Sequence, residues 1–249
     1  MIGMAKSTSY LLKTTDWKIQ VQVVREWRTG IRFSIGKKGA YLRFPRHLGA
    51  SQVTKEIERA NLWIREQLSG NPNLAAHFYK KEYHHGQTLV VGDHNYVLLF
   101  AESNAKSWMA QLVDDHRIVL RIPQKSTPEQ IAQQIPALLS RVIGRHHLPR
   151  ITARVEQLNQ LHFQQPLGSV KLKHNKSNWG SCSHNGNINL STRLLFAPAQ
   201  VQDYVIIHEL SHLIEMNHSK AFYTLVKSAM PDYQVKEKWL KDHSHLCHF

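Results

Sequence analysis

The 249-residue chain has little cysteine and no long hydrophobic run, and these absences exclude several classes of protein. Its two cysteines, Cys182 and Cys247, can close at most one disulfide, so we expect folding in a reducing compartment. No stretch approaches the roughly 18 apolar residues that a membrane span requires. The first residues lack the apolar run of a secretory signal, so we expect a soluble cytoplasmic protein with no membrane partner.

Acidic residues are scarce as well, with 18 Asp and Glu against 32 Lys and Arg and a formal net charge of +14. Such a charge attracts anions and favours a nucleotide or nucleic acid as partner, although a basic chain can equally be merely well solvated. One basic stretch, Lys171, Lys173, His174 and Lys176, leads to Trp179. It is either a phosphate-binding segment or a solvated strand and loop. The oligomeric state is not predictable from the sequence.

The first half of the chain has the alternating pattern of strands. Residues 17–24 alternate apolar with polar side chains, and residues 31–35 and 40–44 do the same around a turn at 36–39, which indicates half-buried antiparallel strands. From residue 51 the apolar period becomes helical and ends at Ser69-Gly70-Asn71-Pro72. Two further apolar stretches, 86–100 and 108–123, are each split by turn residues and predict two hairpins.

A helix is predicted to begin at Thr127-Pro128-Glu129-Gln130, because this order forms a capping box with proline at the first helical position. Pro136 is expected to kink or split that helix, and a second helix should follow a turn around Pro149. The change from strands to helices predicts an α+β fold with two domains. The first, residues 1–125, is antiparallel and β-rich, and the second, residues 126–249, contains the helices.

The segment VQDYVIIHELSHLIEMNH, residues 201–218, has the spacing of a metal site. Four residues advance a helix by about 400°, so His208 and His212 stand one turn apart on the same face and can share one ion. Neutral imidazole is a good zinc ligand, and Glu209 lies beside the first ligand, where it can act as general base toward a water molecule activated by the metal. Since the remaining side chains of this helix are mostly apolar, the paired imidazoles are expected to be buried with a metal partner.

His218 completes the predicted ligand set. In a continuous helix it would lie about 15 Å beyond His208, too far to bind the same ion. The chain must therefore turn back after His212, and Asn217 is a candidate for the left-handed helix-stop conformation, with Ser219 capping a new helix. Three protein ligands leave one coordination position open, which is the pattern of a catalytic rather than a structural zinc site.

Three motifs in this part of the chain resemble a known family. NWGSCSHNGNINLSTRLLFAP (178–198), DYVIIHELSHLIEMNHSKAFY (203–223) and MPDY (230–233) are similar, in this order, to the YgjP-like metal-dependent hydrolases. That family lies within the zincin superfamily of peptidases, near the WLM and SprT-like groups. The resemblance covers about residues 170–235 and implies a zincin-like α+β catalytic domain. It also implies Zn²⁺ bound by His208, His212 and His218, with Glu209 as catalytic base.

Some positions depart from the family pattern or have several interpretations. Asn178 stands where the family usually has Arg, and Ser191-Thr192 stand within the usual L-N-x-R-L motif. Residues 187–190 predict a strand beside the cleft, and the resemblance implies that this edge strand pairs with an extended peptide.

Three further side chains are candidates for substrate binding: Arg193, Tyr223 and Tyr233. Arg193 can bind an anionic group or form a surface ion pair, and the tyrosines can donate to an oxyanion or simply pack. Cys182 is interpreted as a buried small residue rather than a nucleophile, and residues 243–248 as a frayed terminus rather than a second metal site.

The function expected from these residues and the resemblance is zinc-dependent hydrolysis of a peptide or protein. Three alternatives remain open. These are a phosphoanhydride hydrolase that acts on nucleotides, a SprT-like protease that acts on proteins bound to nucleic acid, and a binding module without activity. The last is disfavoured because a purely structural metal site has no need of Glu209.

Overall fold

The computed structural model describes residues 7–14, 17–79, 82–175 and 177–249, so Lys176 of the basic stretch lies outside the described residues. The chain divides into two compact units between residues 81 and 82. Both units combine helices with sheets, which confirms the predicted α+β class. Within the described ranges no helix is both long enough and apolar enough to cross a bilayer.

The first unit is a four-stranded sheet with a helix packed on one face. It consists of β1 (Ser7–Lys13), β2 (Lys18–Glu26), β3 (Arg32–Gly36), β4 (Gly39–Pro45), α1 (Ala50–Gly70) and the short α2 (Pro72–Ala75). The strand order is β1-β2-β4-β3. Alternate residues of β2 and β4, such as Val21 and Leu42, are buried with Ala60, Ile64 and Leu68 of the helix, because the strand period of two and the helical stripe each place apolar side chains on one side.

The second unit opens with a sheet of the same topology. Its strands are β5 (Thr88–Val91), β6 (His94–Ser103), β7 (Met109–Leu112) and β8 (Arg117–Pro123), in the order β5-β6-β8-β7. The predicted hairpins are confirmed, but the expectation of wholly antiparallel sheets is wrong, since β2 pairs with β4 and β6 with β8 in parallel. The second strands of the two hairpins in each sheet lie side by side at the sheet centre, and they run in the same direction.

Helix α3 (Pro128–His162) is a single element of 35 residues. Its start is as predicted, because the Thr127 side chain accepts a hydrogen bond from the backbone N–H of Gln130. The predicted break at Pro136 and turn near Pro149 are wrong, since the helix continues through both prolines. Eleven of its residues, from Ile135 to Asn159, are buried, and this packing offsets the roughly 3 kcal/mol that an internal proline costs.

The predicted domain boundary at residues 125/126 lies inside the second unit. Side chains of the second sheet, including Leu98 and Leu120, share one hydrophobic core with Leu139 of α3 and with Leu190 and Ile206 further along the chain. A compact unit is defined by such shared burial rather than by the change from strands to helices. The boundary between the two compact units therefore lies 44 residues before the predicted one, between residues 81 and 82.

The rest of the second unit contains a small mixed sheet and three helices. The sheet consists of β9 (Val170–Lys173), β10 (Gly180–Cys182) and β11 (Ile188–Ser191) in the order β10-β11-β9. A 3-10 turn at Thr192–Phe196 precedes α4 (Ala199–Ser211), α5 (Lys220–Ala229) and α6 (Tyr233–His243). Helix α4 is fixed to α3 by Arg154, whose Nε and Nη2 lie 2.8 and 2.7 Å from the two carboxylate oxygens of Asp203.

A buried tyrosine links the second sheet to α3. The hydroxyl of Tyr96 lies 2.7 Å from Nδ1 of His146 and 2.9 Å from Nε2 of His147. His147 is only 4% exposed. Burial, followed by the positive charges of Arg150, His94 and His146, lowers the pKa of His147 to about 4, so the ring is neutral at physiological pH.

We predict that acid destabilises this link. His147 takes up a proton near pH 6.5 when the chain is unfolded but only near pH 4 when it is folded. The stability that the neutral ring contributes is complete above pH 6.5 and falls by about 3 kcal/mol as the pH decreases to 4. Urea unfolding of wild type and His147→Gln at pH 7.5 and 4.5 tests this prediction. Lowering the pH should decrease the free energy of unfolding of the wild type more than that of the variant. An unchanged difference contradicts the prediction.

Candidate metal centre

Helix α4 holds the first half of the candidate site. Val205, Ile206, Ile207 and Leu210 are buried, which fixes the helix in the core and confirms the expected burial of its apolar residues. Glu209 is buried as well, whereas His208 and His212 are only half-buried, so the expectation that the paired imidazoles are buried is wrong. The helix ends at Ser211, and His212 is its C-terminal cap. The two imidazole rings lie on one face with their centroids 5.2 Å apart, as the four-residue spacing predicts.

The chain turns back between α4 and α5, as expected for a third ligand. The turn is held by hydrogen bonds from the backbone N–H of Asn217 to Oε1 of Glu215 (3.3 Å) and from that of Ser219 to the Asn217 carbonyl (2.7 Å). Asn217 does not adopt the predicted left-handed conformation, since Gln164 is the only described non-glycine residue with positive φ. The reversal thus uses side-chain and carbonyl acceptors in place of a strained backbone.

This turn brings His218 to the two helical histidines. Its Nε2 lies 3.1 Å from Nε2 of His208, and one nitrogen from each of the three rings lies within 4.8 Å of the others. Nitrogen atoms that share a tetrahedral zinc ion are about 3.4 Å apart, so the arrangement is of the right size for one metal ion. Among the described residues this is the only group of three or more His, Cys, Asp or Glu side chains placed in this way.

Helix α5 supplies the support for these rings. Ser219 caps it as predicted, accepting a hydrogen bond from the backbone N–H of Phe222 (3.2 Å). The fully buried ring of Phe222 lies with its centroid 4.5–4.9 Å from the centroids of all three imidazoles. The three histidines therefore rest on one aromatic side chain, which limits their rotamers.

His208 and His212 are held in the neutral form that binds metals. Burial, followed by the neighbouring His212 and His218, lowers the pKa of His208 to about 4, and burial lowers the pKa of His212 as well. Nδ1 of His212 lies 3.1 Å from the carbonyl oxygen of Glu215 and must donate its proton there. Its Nε2 is consequently unprotonated and available as a ligand atom.

Glu209 lies against the edge of the small sheet. It is 5% exposed, and burial raises the pKa of its carboxyl to about 8. A Cβ atom on Gly180 would lie 2.5 Å from Oε1 and 2.7 Å from Cγ of Glu209. Glycine at position 180 thus provides the space in which the Glu209 side chain lies, a requirement that no local pattern in the sequence revealed.

The edge strand beside Glu209 is β10, not the predicted residues 187–190. Strand β11 contains most of those residues and is paired on both sides, with β10 and β9. The backbone of Ser191 donates to Trp179 and that of Ser183 to Asn187, so the backbone N–H groups of the intervening Gly180 and Cys182 point away from β11. The Asn178 side chain donates to the carbonyl of Gly180 at 3.0 Å.

Arg193, a candidate for substrate binding, contacts the C-terminus of the chain. Its Nε and Nη2 donate to the carbonyl oxygens of Cys247 (2.7 Å) and Ser244 (3.1 Å), and its guanidinium lies 4.5 Å from the centre of the Trp179 ring. These contacts assign Arg193 to anchoring the C-terminus. The expectation of a frayed terminus is wrong, because Cys247 and Phe249 are buried.

The two candidate tyrosines lie along an open groove that starts at His218. The groove has a volume of about 880 Å³ and is lined by His218, Ser219, Lys220, Tyr223, Thr224, Lys227, Ser228 and Tyr233. The Tyr223 ring is stacked on that of Tyr233, with centroids 6.1 Å apart, and lies 6.3 Å from that of His218. Both tyrosines are therefore close to the histidine cluster, in a groove with two basic side chains.

Two residues important for the site were missed by the sequence analysis. Gly180 was visible only as part of the W-G-S-C stretch, and its role depends on contact with a helix 29 positions later. Phe222 was identifiable in principle, because Phe222 and Val226 are four residues apart and form the buried stripe of α5. Cys182 is half-buried, and burial raises the pKa of its thiol to about 11, which agrees with its interpretation as a non-nucleophile.

Comparison with known proteins identifies the family. The family model of the YgjP-like metallopeptidase domain matches residues 29–243, and the chain therefore belongs to this family of metal-dependent peptidases. No curated protein matches the chain. The chain is similar in part to the metallopeptidase zymogens abylysin of Pyrococcus abyssi (24% identity, TM-score 0.35) and jannalysin of Methanocaldococcus jannaschii (21% identity, TM-score 0.33). Each similarity covers 39% of this chain and 94% or 96% of the other.

We predict that Gly180→Ala impairs activity without impairing metal binding. The added Cβ would overlap the Glu209 carboxyl and displace it, since its three nearest heavy atoms all belong to Glu209. A displacement of about 1 Å in a catalytic group costs about a hundredfold in rate. Peptide turnover measured beside zinc affinity tests this, with Ser181→Ala on the same strand as the matched control. Normal turnover by Gly180→Ala contradicts the prediction.

Proposed function

We propose that this metallopeptidase-family chain is a zinc peptidase in which His208, His212 and His218 hold the metal and Glu209 is the general base. The observation that carries the proposal is the convergence of three imidazoles, with Nε2 of His218 3.1 Å from Nε2 of His208. Three nitrogen ligands and an open fourth position are typical of catalytic zinc. Zinc bound here would lower the pKa of a water molecule and polarise the scissile carbonyl.

The chemistry of the protein groups follows from their positions. Glu209 neighbours His208 in sequence and lies in a nearly water-free pocket beside Gly180. Its carboxylate would take a proton from the attacking water and pass it to the leaving amine of the peptide. A divalent cation at the three histidines would favour the ionised carboxylate that this role requires, since it opposes the effect of burial on the pKa.

We infer that the substrate is an extended peptide or protein segment that lies along β10. The backbone N–H groups of Gly180 and Cys182 point away from β11 and are placed to pair with such a segment. The Gly180 carbonyl is held by Asn178, which would have to release it for full pairing. Tyr223 and Tyr233 are the candidates for donating a hydrogen bond to the developing oxyanion.

A second candidate function is hydrolysis of a nucleotide phosphoanhydride at the same centre. The observation that favours it is the pair of lysines, Lys220 and Lys227, along the groove that begins at His218. Neither ammonium group has a carboxylate partner among the described residues, so both are available to an anionic substrate. Acidic side chains of a peptide would meet the same two charges, so the groove alone does not decide between the substrates.

We predict that Glu209→Gln abolishes turnover and leaves zinc binding intact. The amide is of the same size but cannot accept the proton, and the loss expected for a general base is about 10²- to 10⁴-fold. The assay compares zinc-loaded wild type and variant on a peptide library and on nucleoside triphosphates. Equal turnover by the two proteins would reject Glu209 as base, and turnover of triphosphates alone would favour the second candidate.

We predict further that His218→Ala lowers zinc affinity at least about a hundredfold, since it removes one of three protein ligands. Competition with a chromophoric chelator measures the affinity without reference to activity. His184→Ala is the matched control, because His184 is an exposed histidine in the turn between β10 and β11. If His218→Ala bound zinc as tightly as the control, the three-ligand assignment would fail.

A further inference from the structure

The positive charge of the chain is concentrated in the first unit. Residues 1–81 contain 15 Lys and Arg but only five Asp and Glu, a formal charge of +10. Residues 82–249 contain 17 and 13, a formal charge of +4 in twice the length. The candidate metal centre lies wholly in the second unit. The excess charge therefore belongs to a part of the chain that the proposed chemistry does not use.

Within the first unit, part of the excess charge lies on one face of the sheet. Helix α1 is balanced, with three basic and three acidic residues: Lys55, Arg59, Arg65, Glu56, Glu58 and Glu66. The strand register shows where the excess lies. Lys13, Lys18, Arg32 and Arg43 all point to the face opposite the hydrophobic core, which we call the outer face of the first sheet.

Two pairs of like charges face each other across neighbouring strands of this outer face. Lys13 is directly opposite Lys18 on the β1–β2 pair, and Arg32 is directly opposite Arg43 on the β3–β4 pair. Like charges in register destabilise a sheet, and such pairs are relieved when an anion lies between or above them. These two repulsive pairs are the specific signal that the surface is built for an anionic ligand.

The outer face has almost no acidic side chain of its own to relieve that repulsion. In the described strands of this sheet, the acidic residue that the register places on the outer face is Glu26, at the end of β2. Its Oε1 already lies 2.9 Å from Nη1 of Arg28. Lys13, Lys18 and Arg32 are exposed and have no ion-pair partner among the described residues. Their charges are consequently available to a ligand in solution.

Aromatic rings accompany these cations. The Arg43 guanidinium lies 5.3 Å from the centre of the Tyr41 ring on the same face. Trp27, which follows β2, is 83% exposed, and Arg46 lies 5.2 Å from the centre of its ring. An exposed tryptophan costs free energy in water unless a partner covers it. Flat rings backed by guanidinium groups are suited to stacking on nucleobases.

The second sheet provides an internal comparison, because it has the same strand order. The residues at the registers of Lys13, Lys18, Arg32 and Arg43 are Val90, Asn95, Met109 and Arg121, so one of the four is basic, and Val119 stands at the register of Tyr41. Its basic residues, Arg117 and Arg121, donate to Asp114 and to the sulfur of Met109. The basic and aromatic character is thus a property of the first sheet and not of the topology.

We propose that the outer face of the first sheet binds single-stranded nucleic acid. Lys13 and Lys18 at one end of the face, and Arg32 and Arg43 at the other, would contact phosphates, while Tyr41 would stack on a base. A four-stranded sheet is too wide to enter a duplex groove, whereas a single strand can lie across it with a base splayed onto an aromatic side chain. This face belongs to the first unit, whereas the candidate metal centre belongs to the second.

The test is fluorescence anisotropy of the full chain with labelled oligo(dT) and oligo(U) at several salt concentrations. We expect a micromolar Kd at about 50 mM salt and a slope of log K against log salt of about −3, since four phosphates are neutralised. The double variant Lys18→Gln/Arg32→Gln should bind about tenfold more weakly and reduce the slope by about 1.4. Tyr41→Ala should weaken binding about fivefold with little change in the slope.

The matched control is Lys55→Gln/Arg59→Gln, which removes the same charge from α1 in the same unit. Equal weakening by both double variants would mean that net charge alone attracts the ligand, and it would overturn the assignment to this face. Equal affinity for duplex DNA or for polyglutamate would overturn the assignment to single strands. Glu209→Gln should bind the oligonucleotides like wild type. Thermal unfolding of each variant checks that the protein is folded.

Discussion

The reversal of the chain between His212 and His218 is the constraint on which the rest of the candidate site depends. A helix that continued past Ser211 would carry the third imidazole about 15 Å away. The turn instead brings Nε2 of His218 to 3.1 Å from that of His208. It also fixes His212, because the Glu215 carbonyl within the turn accepts the Nδ1 proton. The turn thus sets both the position of the His218 ligand atom and the tautomer of His212.

Burial gives this arrangement its chemical character. Helix α4 is apolar on nearly all sides and lies in the core, so the functional side chains occupy an environment that disfavours charge. Burial lowers the pKa of His208 and of His212, which favours the neutral rings that metal binding requires, and it raises the pKa of the Glu209 carboxyl. A cation bound by the histidines would favour the ionised form of the Glu209 carboxyl in this pocket. Family membership and local geometry therefore support the same interpretation.

The two halves of the chain use one sheet topology for different surfaces. In both, two hairpins place their second strands in parallel at the centre, and a helix covers one face. The inner faces are alike in their apolar character because both must exclude water. The outer faces are free to differ, and only the first carries like-charged cross-strand pairs. Such differences between equivalent surfaces indicate function more directly than overall charge does.

The sequence by itself determined the elements whose causes are local. The helical period predicted the pairing of His208 with His212, and capping residues predicted the starts of α3 and α5 at Thr127 and Ser219. Tertiary structure decided what depends on distant segments. It determined the parallel centre of each sheet, the continuity of α3 through two prolines, β10 as the edge strand, and Arg193 as anchor of the C-terminus. Strand order and shared burial join residues tens of positions apart, and no short-range period in a sequence encodes such contacts.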